Sequence, residues 1–428
     1  MDIKSITNLC LSKFADKGID KVSVEANKNS KLELQTEYDE IGLFRETEAI
    51  TLGFRIIHNN KEASKSFTFS AEDGIDQEIE ETITMAHDAQ EDVAFSMAKN
   101  LTYNKTHGID TPLIDKMHYL LKAFLEEKKE KYPEIKDTTN IGFEHNESYS
   151  INNQNVEFYH ENGFYNILTI YTAVRGDKSS SMNYNFGTTI ELPDSIFEFN
   201  EFEKHYQETI DQIDQREFND KFVGDVILAP CELESALGNL LNELGGLELI
   251  NKTSLFMDKI GQQIISDKIT LKSTPDNPNL AMKSLFSKEN YINKDGYLIK
   301  DGILKTFTIG DYVSKKTGLE PTYISSGCAE ISAGDVALAD MIKGIKKGIL
   351  INRISSGAPN KNKDFAGVIK NSYYIEDGKI QYPIKEVMIT ANILEMLNNV
   401  EQVSKERLNT GYSNSPWVKC SNVSIAGK

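Results

Sequence analysis

Ile50-Thr51-Leu52-Gly53-Phe54-Arg55-Ile56-Ile57, closed by the pair Asn59-Asn60, is the stretch on which the fold class turns. Apolar and β-branched residues dominate it, and two asparagines tolerate the positive φ that a tight hairpin needs, so it predicts a strand and a turn. A further strand leaves that turn and ends at Phe67 and Phe69. Upstream, Val22 with Val24 and Leu32 with Leu34 mark two more candidate strands. Before them Ile3, Ile6, Cys10 and Phe14 recur at helical spacing, with Gly18 where a C-cap glycine belongs. After them a long acidic helical stretch runs from Asp76 to Ala98. Helix, antiparallel strands and helix define an α+β unit, not a doubly wound sheet.

Two more regions follow. The second opens at Pro112 with a helix whose apolar face carries Leu113, Met117, Leu120, Leu121 and Phe124. Polar, aromatic-rich strands from about Thr139 to Thr189 come next, and the charged stretch Glu198 to Lys221 is read as a helix. The third holds the short strand Val226-Ile227-Leu228 and a long helix marked by Leu233, Leu237, Leu240, Leu241 and Leu244. Short strands then alternate with Lys294-Asp295-Gly296, Lys300-Asp301-Gly302 and Glu376-Asp377-Gly378, each expected to close a hairpin. The expected division is an N-terminal α+β domain over 1–110, a central helix plus antiparallel strands over 111–221, and a C-terminal strand-rich domain over 222–428 that starts with a long helix.

Lys+Arg 47 against Asp+Glu 65 leaves a net charge of -18. That field repels phosphate backbones and argues against nucleic acid as a partner. The four cysteines, Cys10, Cys231, Cys328 and Cys420, stand singly and form no disulfide framework. No apolar run reaches the roughly 18 to 20 residues of a membrane span, and no signal-peptide pattern opens the chain. A soluble, cytoplasmic protein is expected.

Chemistry is sparse. All seven histidines precede residue 206, so a histidine-based zinc site in the C-terminal region is excluded by composition. No G-x-S-x-G elbow, P-loop or dinucleotide fingerprint is present. Ser325-Ser326-Gly327-Cys328 and Ser355-Ser356-Gly357 are small-residue loops without a neighbouring histidine, which argues against a serine or cysteine nucleophile. From the residues alone the function stays open.

Several C-terminal motifs, in order, resemble the TldD/PmbA peptidase family. Lys252-Thr253-Ser254-Leu255-Phe256-Met257-Asp258-Lys259-Ile260-Gly261 is similar to its Lys-Ser/Thr-Ser/Thr-Phe segment and following glycine. Ile299-Lys300-Asp301-Gly302-Ile303-Leu304 resembles its I-x-D-G-x-L hairpin, and Asp364-Phe365-Ala366-Gly367 loosely resembles a third loop. Ile375-Glu376-Asp377-Gly378-Lys379-Ile380-Gln381-Tyr382-Pro383-Ile384 resembles I-E-x-G-x-I-x-x-P-V, the most specific match. The ending Val423-Ser424-Ile425-Ala426-Gly427 and the early Gly53-Phe54-Arg55-Ile56-Ile57 extend the likeness over nearly the whole chain.

The resemblance implies proteolysis by a zinc subunit carrying H-E-x-x-x-H and a later cysteine, with a PmbA/TldE-like partner that lacks both. Anchored on Lys252 and Gly261, the motif falls on Gly238, Asn239 and Glu243; a rival register uses Asn242, Glu243 and Leu247. Neither contains histidine, and the cysteine's expected place, near Asn409 to Ser413, contains none. The chain is therefore expected to hold no metal and no catalytic residue, with zinc in a TldD-like partner of a heterodimer. A homodimeric peptide-binding protein, or a DNA-gyrase modulator acting through protein contacts, is the alternative. Glu243 is expected to be a solvated helix residue. Ser356, Gly357, Asp364, Phe365 and Gly367 are candidates for holding unfolded peptide along a strand edge beside a cavity or dimer interface; loop closure by the same residues is the competing expectation.

Overall fold

The Asp2 carboxylate accepts the Ser5 N–H at 2.9 Å and caps the first helix. The computed structural model describes residues 2–37, 39–287 and 289–427, so Met1 and Lys428, the outer limits of the expected domains, lie outside the described residues. Helix α1 (Ile3–Ala15) buries Ile3, Ile6, Cys10 and Phe14, and Phe14 meets Phe54 edge to face at 5.1 Å. Gly18 takes φ 69° just beyond the helix, as a terminating glycine does.

Strands β1 (Lys21–Glu37), β2 (Glu40–His58) and β3 (Lys61–Phe69) follow. The two strands expected around Val22 and Leu32 are therefore one. Its polar middle, Asn27 to Lys31, breaks the apolar alternation but stays paired on both sides, to β2 and to β5 (Ile135–Asn152). Asn59 and Asn60, at φ 51° and 58°, close the β2–β3 hairpin as expected. Among the described residues an eight-stranded sheet has the path β3-β2-β1-β5-β6-β4, where β4 is Leu101–Gly108 and β6 is Val156–Arg175, with the short pair Lys178–Ser179 also on β6. Strand β7 (Asn183–Thr189) adds to β6. The expected first and second regions thus share one sheet, covered by separate apolar cores: α1 and α2 (Ile75–Asp88) over one part, α3 (Ile114–Lys131) and α4 (Phe202–Asp211) over the other.

Helix α2 stops at Asp88, ten residues short of the expected Ala98. Tertiary contacts take over the segment. The Asp92 N–H donates to the Asn60 carbonyl at 2.7 Å, and its carboxylate accepts the Tyr312 hydroxyl at 2.9 Å and the Lys316 ammonium at 2.8 Å. The charged stretch Glu198 to Lys221 is helical only over α4 and short flanking turns.

The C-terminal sheet has ten strands among the described residues. Its members are β8 (Lys221–Leu228), β9 (Lys347–Ile351), β10 (Arg353–Ser356), β11 (Asp364–Lys370), β12 (Ser372–Glu376), β13 (Lys379–Lys385), β14 (Val387–Asn392), β15 (Val400–Asn409), β16 (Asn414–Ala426) and the pair Arg216–Glu217. The order is β10-β11-β14-β16-β8-β9-β12-β13, then Arg216–Glu217, with β15 on β16, so β10 is an edge. Asp301-Gly302 and Asp377-Gly378 adopt the paired positive φ expected of their hairpins. Lys294-Asp295-Gly296 does not; Gly296 instead starts an extended strand, where a Cβ would fall 2.3 Å from Ile324 Cδ1. No helix among the described residues is long and apolar enough to cross a membrane.

Candidate functional site

Helix α5 (Pro230–Glu243) places proline at its first turn, where a missing N–H does no harm. Leu233, Leu237, Leu240 and Leu244 bury one stripe in the C-terminal core. Glu232, Ser235 and Asn239 sit three and four residues apart and form a second stripe. This polar stripe lines a cleft of about 310 Å3, whose other side is Ile354, Ser356, Gly357 and Phe365. Four sequence candidates, Asn239, Ser356, Gly357 and Phe365, therefore meet in one place.

Asp364, Gly367, Gly238 and Glu243 do not line that cleft. Asp364 accepts from the amides of Asn392 at 2.8 Å and Asn360 at 3.0 Å, which hold its carboxyl below the usual range and tie the turn before β11. Gly367 pairs with Ser356 across the β10–β11 ladder, and a Cβ there would lie 2.6 Å from Ile354 Cγ2. Its bare backbone lets Ile354 lie over the strand. Gly238 has open space around its missing Cβ.

Glu243 corrects the expectation of a solvated residue. It is 8% exposed, its Oε1 lies 2.6 Å from Lys363 Nζ, and its Oε2 accepts the Leu255 N–H at 3.0 Å. The Ser254 hydroxyl donates to its carbonyl at 2.6 Å. The chain after α5 folds back over the helix end, and Lys363, at φ 70°, reaches in from the turn before β11. A carboxylate so committed to an ammonium is not a free ligand.

This donor set does not fit zinc coordination. Gly238 offers no donor, Asn239 faces the cleft with a neutral amide, and Glu243 is ion-paired elsewhere. Residues Thr410 and Tyr412, at the expected cysteine position, line a different cavity. No cluster of three His, Cys, Asp or Glu suited to a metal occurs among the described residues.

That second cavity, of about 330 Å3, escaped the sequence. It shares Glu232, Ser235, Ile354 and Ser356 with the first and extends toward α4 and β7. Burial pushes the Glu208 carboxyl up to about 7, and Asn352 donates to its Oε2 at 3.1 Å. Burial also holds His205 down to about 4, and its Nδ1 lies 2.8 Å from the Asn185 amide. The Glu232 carboxyl is raised by burial while it accepts the Ile354 N–H at 3.0 Å. Desolvation pushes the Cys231 thiol up to about 12, which keeps it protonated and a poor nucleophile. His205 and Glu208 lie three residues apart on α4, but no spacing rule distinguishes such a pair from an ordinary solvated helix face.

The edge strand β10 joins both cavities. Ile354 donates outward to Glu232, so alternation turns the N–H and C=O of Ser356 to the same side. Strand addition would find one outward donor already engaged.

An α+β chain whose C-terminal sheet carries a leucine-striped helix beside a polar cleft has counterparts among metallopeptidases. Residues 223–427 match the PmbA/TldA metallopeptidase C-terminal domain. The chain thus carries the C-terminal domain of the PmbA/TldD family. The metalloprotease PmbA of Escherichia coli O157:H7 is 20% identical, over 90% of this chain and 88% of that protein. A zinc metalloprotease TldD homolog of Saccharolobus solfataricus is 24% identical over 86% of each. The fold is also that of TldE from Thermococcus kodakarensis, at TM-score 0.82 and 20% identity over 98% of this chain and 99% of that one. A Bacteroides thetaiotaomicron protein described as a candidate modulator of DNA gyrase shares it at TM-score 0.84 and 20% identity, over 99% of each chain.

Proposed function

We propose that this chain holds extended, unfolded peptide segments for a zinc peptidase subunit of the TldD type and does not hydrolyse them itself. The observation that carries the reading is the Glu243–Lys363 pair, which fills one expected ligand position with a neutralised carboxylate, beside a side-chain-free Gly238. Water activation requires a Lewis acid or a positioned base near a reacting carbonyl. The cleft side of α5 offers Glu232, one of whose carboxylate oxygens accepts the Ile354 N–H, together with the neutral Ser235 and Asn239. Holding is better supported. An edge strand, the open backbone at Gly357 and an aromatic wall at Phe365 suit main-chain pairing with little sequence demand. The partner supplies zinc in this scheme, and the free cysteines agree with a cytoplasmic setting. A peptidase assay on the pure chain, alone and mixed with a TldD-type subunit, tests it: cleavage should need both.

A further inference from the structure

The second cavity is walled by Tyr184, Phe186, Tyr412 and Trp417, and two carboxylate side chains, Glu208 and Glu232, line it. Neither carboxylate has a salt-bridge partner among the described residues, whereas the two nearby cations are engaged. Lys204 bonds Glu201 at 2.9 Å and stands over the Trp417 ring at 5.1 Å. Arg353 lies over the Tyr184 ring at 5.5 Å and donates to the Met182 carbonyl at 3.0 Å. Lys204 is neutralised by Glu201, whereas the ring and the carbonyl leave the charge of Arg353 standing, so with both carboxyls ionised the lining carries one negative charge in excess. A separate observation points to a guest: Asn371 lines the cavity and is 5% exposed, yet neither its Oδ1 nor its Nδ2 has a partner among the described residues. Buried amides without partners are rare, since each forgoes hydrogen bonds it had in water.

We propose that this cavity receives a basic side chain of an extended peptide whose backbone lies in the neighbouring cleft. The inference rests on the peptide-holding reading, because the two cavities meet at Glu232, Ser235, Ile354 and Ser356. The aliphatic stem of such a side chain packs on the aromatic walls, and its ammonium head reaches the carboxylates. Glu208 is the group that responds. Glu201, Lys204, His205 and Asp211 on its own side, Tyr171 and Tyr373 packed against it, and Glu232 and Arg353 lining the same cavity are the charged and titratable groups around it. A cation favours the ionised carboxylate, so its affinity rises as pH passes upward through about 7.

Two probe pairs separate the pocket from the cleft, with the full-length chain throughout. The first pair is a fluorescein-labelled decapeptide of alanine, serine and asparagine with one central lysine, and the same peptide with norleucine. The second pair is Nα-acetyl-lysine methylamide and its norleucine counterpart, followed by ligand-observed NMR. Roughly tenfold tighter binding of the lysine decapeptide is expected. Glu208→Gln should bring that ratio to about one without changing the norleucine peptide's affinity and without lowering the melting temperature. Equal affinities, or a lysine preference that survives both Glu208→Gln and Glu232→Gln, overturn the pocket while a bound norleucine peptide leaves the cleft reading standing. Should the capped lysine bind with the same Glu208 dependence while neither decapeptide gains from the cleft, the cleft reading falls and the basic pocket stands. If no probe binds, both fall.

Discussion

Lys363 Nζ and Glu243 Oε1 lie 2.6 Å apart, each side chain nearly out of water, at the junction of α5 with the turn into β11. This contact locks the C-terminal end of the helix on which the family resemblance places its zinc motif to the strand pair that borders the cleft. The arrangement turns a position expected to be solvated into a structural tie.

Removing one partner of that tie leaves a charge with little water and no counter-ion. Lys363→Met should destabilise the chain by about 2–4 kcal/mol, and Glu243→Gln by less, since the amide still accepts the Leu255 N–H. Urea unfolding of both variants checks the order. A Lys363→Met variant as stable as the parent would show the pair to be incidental.

Gly367 supports the cleft from behind. Gly367→Ala sets a Cβ against Ile354 Cγ2 and should cost about 1–3 kcal/mol. Adding Ile354→Ala should recover part of that loss, giving a favourable coupling energy in a double-mutant cycle. Strict additivity would mean that the two residues do not press on each other.

The buried Glu208 makes stability depend on pH. Its carboxyl titrates near 4.5 in an unfolded chain and at about 7 in the fold, so the folded state holds the proton more tightly. Below about pH 4.5 both states are protonated and nothing is lost. As pH rises toward 7 the unfolded chain ionises first, and the fold loses of the order of 1–3 kcal/mol. Glu208→Gln removes this term. Its stability relative to the parent should grow between pH 4.5 and 7 and level off above. A gap that is flat across this window would contradict the burial argument.

What the sequence disclosed follows from range. Asn59-Asn60, Asp301-Gly302 and Asp377-Gly378 were legible because a positive φ is a local demand on local residues. The leucine stripe of α5 was legible because its period is its own. The end of α2 was not, because Asp92 is held by Asn60, Tyr312 and Lys316, residues far away in the chain. Nor could β1 be read as one strand when its centre is polar and its support comes from β5. At the site, Ser356 and Gly357 were singled out as a glycine-bearing loop beside a strand, and Phe365 also lies in a loop that loosely resembles a family motif. His205, Glu208 and Asn371 carry no spacing signature; only folding gathers them around one cavity.

Metal content follows from the same donors. Chain purified without an affinity tag should carry no stoichiometric zinc, and added zinc should not raise its melting temperature, because nothing at Gly238, Asn239 and Glu243 rewards binding. One tightly held zinc per chain, lost on substitution within α5, would reverse the assignment of these positions.

The most direct measurement is turnover of a labelled unfolded peptide by the pure chain, alone and with a zinc-loaded TldD-type subunit, with chelator controls. The account predicts no turnover by the chain alone and chelator-sensitive cleavage once the partner is added. Sustained cleavage by the isolated chain, undiminished by further purification, would contradict it.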